Sequence, residues 1–168
     1  MRFLTPYRVS HQPMSDTPTL PELITALSER GIDLSEANVR MGSYGDSYQS
    51  SATLISLIAA KVKRGTCSLL WSWELDGEPL PQAGDIEIVL DFHNRPVLLL
   101  RTTKVEIVPF EEVSSEFAAV EGEGDFSLEF WRAEHWRFFS RECQRIGRQA
   151  VASMPLVCET FDLMVDLG

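Results

Sequence analysis

Segments with strand-like patterns are grouped in the middle of this chain instead of alternating with helices. Residues 66–75 are rich in β-forming residue types, and residues 85–91 alternate apolar and polar side chains. Residues 97–110 are long enough for one strand, or for two strands with a bulge. Regular alternation with helices is typical of parallel sheets, so this grouping favours an α+β domain. We therefore predict an antiparallel or mixed sheet that closes into a small β-barrel.

Helical patterns flank the strand-rich segment on both sides. Thr19 is a predicted N-cap for a short first helix, and residues 48–64 carry apolar side chains at three- and four-residue intervals. This second helix is expected to end just before Gly65, its predicted C-cap. Residues 126–147 carry a wide apolar stripe and predict a long helix, whereas the alternation over residues 156–165 predicts a closing strand.

Two polar segments are predicted to be loops. They are residues 35–47, which are rich in turn-forming types, and the acidic residues 111–125. Within the second loop, residues 121–125 alternate acidic side chains with glycine. Three interpretations stay open there: a divalent-cation site, a solvated loop before a helix, or a loop that supplies one catalytic carboxylate. No cofactor is predicted, and a divalent cation remains an alternative.

Length and charge limit what the chain can bind. A chain of 168 residues with 44% hydrophobic content has enough apolar material for the core of one domain. We expect residues 1–18 to form a flexible N-terminal leader and residues 19–168 to form a single domain. The formal net charge of −10 opposes non-specific attachment to nucleic-acid phosphates or anionic lipid. Any contact with RNA is therefore expected to be local.

Several classes of protein lack support in the sequence. It contains no apolar run of about 18 residues and no secretory signal pattern, so neither a membrane span nor secretion is expected. The P-loop, dinucleotide-binding, α/β-hydrolase and zincin motifs are absent. Cys67, Cys143 and Cys158 match neither a zinc ribbon nor a CxxC pair, so we expect reduced, buried thiols. These features favour a cytoplasmic protein.

Lys63 and Thr66 form the strongest candidate site on chemical grounds. The lysine ends a predicted helix and the threonine opens a predicted strand, with a sharp turn at Gly65 between them. A lysine in a partly dry pocket can act as a base or stabilise a developing anion, and a neighbouring threonine hydroxyl can act as a nucleophile. The structural alternative is a cation that satisfies a helix dipole, followed by an ordinary strand threonine.

Six blocks of the sequence, in order, resemble the ASCH domain family, which is related to the PUA fold of RNA-binding proteins. The resemblance covers roughly residues 20–165. The blocks are YGDS (44–47), KxxTCSLLW (63–71), GEPLPQAGD (77–85), RTTKVEIVPF (101–110), EGEGDFSLEFWR (121–132) and HWRFFSREC (135–143). The resemblance implies a PUA-like α+β fold, a small β-barrel flanked by helices.

The resemblance also implies candidate catalytic residues. Some family members look like ribonucleases, and a compact branch hydrolyses the acetyl group of N4-acetylcytidine with a threonine, a lysine and a glutamate. These three roles fall on Thr66, Lys63 and Glu121. The chain departs from the compact branch in having Lys61 in place of a glycine, Ser68 in place of an arginine, and additional N-terminal helices.

Further residues are candidates for contact with RNA or another ligand. Aromatic side chains can stack on bases, and arginine, lysine and hydroxyl groups can bind phosphate. The ligand-binding candidates are Lys61, Tyr44, Ser68, Trp71, Arg101, Ser140 and Arg141.

Three functional hypotheses follow, with RNA or a modified nucleoside as the expected partner. The preferred one is a ribonuclease of the longer, RNase-like branch, in which Lys63 neutralises charge on the phosphorane and Glu121 acts as base or orienting group. The first alternative is an N4-acetylcytidine-type amidohydrolase with Thr66 as nucleophile, Lys63 as base and Glu121 as orienting group. The second is a non-catalytic module that binds RNA or a nucleoside.

Overall fold

A mixed five-stranded sheet organises the part of the chain that the structure describes. The computed structural model describes residues 18–168, so the predicted leader (1–18) lies outside the described residues except for Pro18. The strands are β1 (Val39–Ser43), β2 (Gly65–Leu69), β3 (Ile86–Leu90), β4 (Pro96–Pro109) and β5 (Pro155–Asp166). Their order is β1-β3-β4-β5-β2, with β1 and β3 parallel and the other neighbours antiparallel. The sheet curls into a half-barrel, which confirms the predicted fold class.

Helices pack against this sheet. They are α1 (Leu20–Glu29), α2 (Tyr48–Ala59), α3 (Leu70–Asp76), α4 (Ser115–Glu121) and α5 (Leu128–Arg145), and a 3-10 turn spans Phe110–Glu112. Thr19 caps α1 as predicted, in a capping box with Glu22. The predicted apolar stripe of α5 is buried through Trp131, Phe138 and Phe139. No helix in residues 18–168 has the length and apolar character needed to cross a membrane.

Strand β1 lies in a segment that was predicted to be a loop. Val39 and Met41 pack beside the core formed by α1 and β3, while the backbone pairs in parallel with Ile86–Leu90. The prediction was wrong because a five-residue edge strand containing arginine and glycine lacks a strong β pattern. This strand brings Arg40 into the interior.

Helix α3 replaces the second half of a predicted strand. Strand β2 ends at Leu69, and the chain turns into a helix that ends at Gly77 in the left-handed conformation. Trp71 packs against the core beneath α5, and the Trp73 indole nitrogen donates to the Ser68 hydroxyl, 2.8 Å away. These tertiary contacts outweigh the β-propensity of the tryptophans.

The predicted acidic loop at residues 111–125 contains α4. The Ser114 hydroxyl accepts a hydrogen bond from the Phe117 backbone N–H, and Gly122 ends the helix with a positive φ of 69°. Ala118 is buried and Phe117 is partly buried against α5. The prediction was wrong because it rested on the acidic composition of the segment and did not use the two capping residues, Ser114 and Gly122.

The predicted end of α2 was also wrong. The helix stops at Ala59, and Lys61 adopts a positive φ of 58° that turns the chain. Gly65 is the first residue of β2 instead of a C-cap. A Cβ atom there would lie 3.0 Å from Val120 and 3.2 Å from the Glu159 carbonyl oxygen, so glycine permits the close packing of β2.

Candidate functional site

Two polar clusters lie beside β2. Successive side chains of a strand point to opposite faces, and Cys67 faces Glu121 while its neighbour Thr66 lines a cavity. We call the first group the buried lysine cluster, formed by Lys63, Glu121, Glu123, Trp131 and His135. We call the second the polar cavity, whose polar lining comes from Arg40, Ser43, Tyr44, Thr66, Ser68, Ser72, Trp73, Asp76, Glu87, Glu142, Arg145 and Glu159.

The buried lysine cluster is centred on a fully enclosed ammonium group. Lys63 Nζ lies 2.9 Å from Glu121 Oε2 and 2.6 Å from Glu123 Oε1, and the side chains of Lys63 and Glu121 are 0% exposed. Trp131 Nε1 donates to Glu121 Oε1 at 3.2 Å. The His135 ring stacks on Trp131, and its Nε2 lies 3.5 Å from Glu121 Oε1. The lysine therefore has two anionic partners inside the protein.

The C-terminal end of α4 and the turn that follows it bring the two carboxylates to the lysine. The Arg64 backbone N–H donates to the Val120 carbonyl oxygen at 2.9 Å, which ties the end of α4 to the segment before β2. A Cβ atom on Gly122 would lie 2.4 Å from the Val62 carbonyl oxygen, so only glycine allows this approach. The two contacts hold Glu121 and Glu123 on either side of the Lys63 amine.

Electrostatics favour the ionised forms of Lys63 and Glu121. Burial opposes the charge on Lys63, but the carboxylates of Glu121 and Glu123 outweigh it and raise the lysine pKa above its ordinary 10.5. Burial also opposes the charge on Glu121, yet Lys63, with a smaller contribution from His135, holds its pKa well below 4.5. Lys63 is therefore poorly suited to accept a proton.

The same region contains a trio of metal-ligand types. One ligand atom each from Cys67, Glu121 and His135 lies within 4.8 Å of the others. Burial, with a further contribution from Glu121, raises the pKa of the Cys67 thiol and favours its protonated form. Since Lys63 already neutralises the Glu121 carboxylate, the trio does not offer the unpaired anionic ligands that a cation prefers.

The acidic residues of the 121–125 segment take separate roles. Glu121 and Glu123 share the lysine ammonium, so a cation of the protein already lies between them. Asp125 is exposed and accepts hydrogen bonds from the backbone and hydroxyl of Ser127, which caps α5.

The polar cavity lies between the sheet and the helices α3 and α5. It has a volume of about 80 Å³, which leaves room for several water-sized groups. Phe138 and Leu69 contribute apolar surface, and Trp73 adds an aromatic ring. A cavity with apolar walls and a few convergent polar groups is the usual form of a small-molecule site.

An arginine held by two glutamates lines the polar cavity. Arg40 Nε donates to Glu87 Oε2 at 2.8 Å, and Arg40 Nη2 donates to Glu159 Oε2 at 2.5 Å. A Cβ atom on Gly42 would lie 2.2 Å from Glu87 Oε1, so the missing side chain makes room for this carboxylate. Three strands, β1, β3 and β5, thereby bring their charges together.

Two residues that line this cavity each carry a buried polar atom that lacks a hydrogen-bond partner among residues 18–168. The two atoms are Thr66 Oγ1 and Arg40 Nη1. Thr66 is only 3% exposed, so its hydroxyl is isolated from bulk solvent. An unsatisfied buried polar group costs about 1–3 kcal/mol, and such a group often marks a position where a ligand or water binds.

Burial perturbs the pKa values of two further groups in the polar cavity. Burial, supported by the charge of Glu87 and opposed by Arg40, raises the pKa of Glu159 to about 7. Burial, with contributions from Glu87 and Glu159, raises the pKa of the Tyr44 hydroxyl above its ordinary 10. Glu159 therefore changes its charge near neutral pH.

The structure distributes the predicted catalytic residues between the two clusters. Lys63 and Glu121 are in direct contact in the buried lysine cluster, and neither is among the residues that line the polar cavity. Thr66 lines the polar cavity together with Tyr44 and Ser68, two of the predicted ligand-binding residues.

The other predicted ligand-binding residues lie away from the polar cavity. Lys61, Arg101 and Arg141 are exposed, and Ser140 and Trp71 are partly buried. None of these five is among the described residues that line it.

The charged residues of the polar cavity were missed, and Arg40, Glu87 and Glu159 show why. Arg40 lies in the segment interpreted as a loop, and Glu87 lies between two isoleucines of β3. In β5, Glu159 lies on the same face as Val157 and Phe161. It therefore occupies an inward-facing position that is normally filled by an apolar residue. A carboxylate at a position where the strand pattern requires an apolar side chain indicates a buried charge that is paired with another group.

Comparison with known proteins agrees with this architecture. A family model described as the ASCH domain matches residues 40–165. The crystal structure of the ASCH domain from Lactobacillus crispatus JV V101 has 30% identity and a TM-score of 0.76, covering 84% of this chain and 91% of that one. A crystal structure of a protein from Enterococcus faecalis V583 has 36% identity and a TM-score of 0.72, covering 84% of both chains. No curated protein matches.

The matched region contains all five strands except for the first residue of β1 and the last residue of β5. It also includes every residue named above in the two polar clusters. The fold, the family model and the two related structures together show that the chain belongs to the ASCH domain family, a PUA-like family whose members generally bind RNA.

Proposed function

We propose that this ASCH domain binds RNA or a modified nucleoside with a nucleobase in the polar cavity. The observation that carries the proposal is the pair of unpartnered buried atoms, Thr66 Oγ1 and Arg40 Nη1, on two residues that line the same cavity. A hydroxyl both donates and accepts, whereas a guanidinium only donates. Together they fit a ligand that presents a carbonyl oxygen, as pyrimidine and guanine bases do.

The charges of the cavity favour a base over a phosphate. Arg40 and Arg145 are outnumbered by the carboxylates of Asp76, Glu87, Glu142 and Glu159. Carboxylates repel phosphate, but they accept hydrogen bonds from exocyclic amino groups such as cytosine N4. The Trp73 ring in the cavity wall offers an aromatic surface for stacking.

Phosphodiester cleavage, the preferred hypothesis from sequence, receives less support from the geometry. That mechanism requires the Lys63 ammonium to contact a phosphate. Glu121 and Glu123 already bind this ammonium, and the Lys63 side chain is 0% exposed. A phosphate would have to displace both carboxylates from a buried cation, which is costly.

Amide hydrolysis is a second candidate function. Its support is the buried hydroxyl of Thr66, a residue of the cavity lining, which has no hydrogen-bond partner within the described chain. A threonine hydroxyl can attack the carbonyl of an acylated base when a neighbouring group accepts its proton.

Thr66→Val tests the proposed binding. The substitution keeps the shape of the side chain but removes the hydroxyl, so we expect nucleoside binding to weaken by about tenfold, or about 1.4 kcal/mol. Cytidine, N4-acetylcytidine and a short single-stranded RNA would be titrated by calorimetry. The matched control is Thr103→Val, because Thr103 is exposed on β4 and should leave the affinity unchanged. Absence of binding by all three ligands, or equal effects of the two substitutions, would contradict the proposal.

A further inference from the structure

We propose that the polar cavity selects a nucleobase that carries a positive charge, such as a base methylated on a ring nitrogen, over the same base in its neutral form. This inference rests on the proposed function, because the base must first bind in that cavity. It adds the class of ligand that the charges of the lining favour.

Carboxylates outnumber cations in the lining of the polar cavity. The charged lining residues are the acids Asp76, Glu87, Glu142 and Glu159 and the bases Arg40 and Arg145. Negative charge is therefore in excess when all of these groups are ionised. An excess of one sign in a cleft with apolar walls attracts ligands of the opposite charge, because little water is present to screen it.

Part of this excess is buried at Arg40, where one guanidinium binds two carboxylates. Arg40 Nε lies 2.8 Å from Glu87 Oε2, and Arg40 Nη2 lies 2.5 Å from Glu159 Oε2. Glu87 is only 7% exposed and Glu159 only 4%. The second guanidinium of the lining belongs to Arg145, whose Nε binds Glu142 Oε1 at 3.1 Å. One buried cation therefore serves two buried anions.

A buried negative charge needs a partner, which can be a proton or a cation. Burial, opposed by Arg40 and supported by Glu87, raises the pKa of Glu159 to about 7, so a proton neutralises part of the excess near neutral pH. A cationic ligand would replace that proton. The other groups around Glu159 are Tyr44 after β1, the hydroxyls of Thr66 on β2 and Thr102 on β4, Asp76 on α3, and Glu142 and Arg145 on α5.

Methylation of a ring nitrogen gives a base a positive charge and leaves its other polar groups in place. In 3-methylcytidine these groups are the carbonyl oxygen at C2 and the amino group at C4. The carbonyl oxygen can accept hydrogen bonds from Thr66 Oγ1 and Arg40 Nη1, which lack partners among the described residues. The amino group can donate to a carboxylate, and the Trp73 ring in the cavity wall attracts cations. The unpartnered atoms thus recognise the base, while the carboxylates favour its charged form.

Calorimetric titration with cytidine and 3-methylcytidine tests the inference, since the two nucleosides differ in one methyl group and one charge. We expect 3-methylcytidine to bind at least about tenfold more tightly at pH 7.5. Because it competes with the proton on Glu159, its Kd should fall by about tenfold from pH 5.5 to pH 7.5, whereas the Kd of cytidine should change less. Choline is the control for a charge without a base and should bind more weakly than 3-methylcytidine.

Proton release is a second measurement, and it needs no variant. Titrations at pH 6.5 in buffers of different ionisation enthalpy should show that 3-methylcytidine displaces at least about half a proton. Glu159→Gln should abolish this release and lower the preference for 3-methylcytidine by about tenfold. Glu106→Gln, at an exposed position of β4, is the matched control and should keep both properties.

The outcomes separate this inference from the proposed function. Equal Kd values for cytidine and 3-methylcytidine, equally tight binding of choline, or no proton release would overturn the selection of a charged base. An unchanged preference in a folded Glu159→Gln protein would overturn it as well. In each of these cases binding of cytidine would leave the proposed function standing. Absence of binding by every nucleoside and by RNA would instead defeat the proposed function.

Discussion

The contacts of Lys63 indicate a structural role. Its ammonium and the two carboxylates that bind it are removed from solvent, and a buried charge is stable only while its partners remain. Such a group can be indispensable to activity simply because the fold depends on it. Stability and activity must therefore be measured together for this position.

Lys63→Met should lower the free energy of unfolding by about 3–5 kcal/mol, because it leaves Glu121 and Glu123 buried without their cation. Urea denaturation followed by circular dichroism measures this loss. Lys61→Met is a matched control, since Lys61 is exposed and lies two residues away; we expect its effect to stay within about 0.5 kcal/mol. A fully stable Lys63→Met protein that has lost activity would instead favour direct participation of Lys63 in chemistry.

Sequence reasoning found part of the candidate site. Thr66 stood out because it follows a cationic segment at the start of a strand, Ser68 because it replaces an arginine of the compact branch, and Tyr44 because it lies in the YGDS turn. Arg40 and Glu159 did not stand out, because their pairing depends on which strands are neighbours in the sheet. The order β1-β3-β4-β5-β2 joins residues that are 119 positions apart in the chain, and local patterns carry no information about such contacts.

The end of α4 packs closely against the segment before β2. Gly122 ends α4 and lies against the Val62 carbonyl oxygen, beside Lys63. Gly77 ends α3 in nearly the same left-handed conformation, with φ of 66° against 69°, but a Cβ atom there would meet nothing within 4 Å. The two glycines differ only in what surrounds them.

Gly122→Ala should therefore destabilise the protein more than Gly77→Ala. Both substitutions carry the cost of a left-handed alanine, about 1–2 kcal/mol, but only the first forces α4 away from the lysine segment. We expect an additional loss of about 1–3 kcal/mol for Gly122→Ala in urea denaturation. Equal losses for the two variants would show that the close approach of α4 to residue 62 has no energetic importance.

Elements with strong periodicity or clear capping were predictable from sequence. Helix α1 has a capping box at Thr19, α5 has an apolar stripe of 18 residues, and β5 alternates. The missed elements, β1, α3 and α4, are only five to seven residues long. Short elements bury few side chains of their own, so packing against neighbours decides their conformation more than local preference does.

Across the whole molecule, negative charge is in excess at the surface and is tightly paired inside. The chain has 25 acidic and 15 basic residues, so ionised surface carboxylates repel one another at neutral pH. Inside, Glu159 has a raised pKa and Glu121 a lowered one. These buried groups affect stability in opposite directions on the pH scale.

We expect the free energy of unfolding to be highest near pH 5. Between pH 4.5 and about 7 the folded protein holds a proton on Glu159 that the unfolded chain releases, so stability falls as pH rises through this range. Below pH 4.5 the unfolded chain takes up a proton that folded Glu121 does not bind, so stability falls as pH decreases further. Each effect has a limit of about 1.4 kcal/mol per pH unit.

Urea denaturation from pH 3 to pH 8 measures both limbs of the stability profile: the acid limb, where stability falls below pH 4.5, and the neutral limb, where it falls between pH 4.5 and 7. Glu159→Gln separates the two limbs. This variant cannot release the proton, so its stability should decline less than that of the wild-type protein between pH 4.5 and 7, while the acid limb below pH 4.5 stays in place. Removal of one surface carboxylate would change the general repulsion only slightly, so the exposed Glu106→Gln variant should follow the wild-type curve. A neutral limb with the same slope in all three proteins would assign the pH dependence to surface repulsion and not to Glu159.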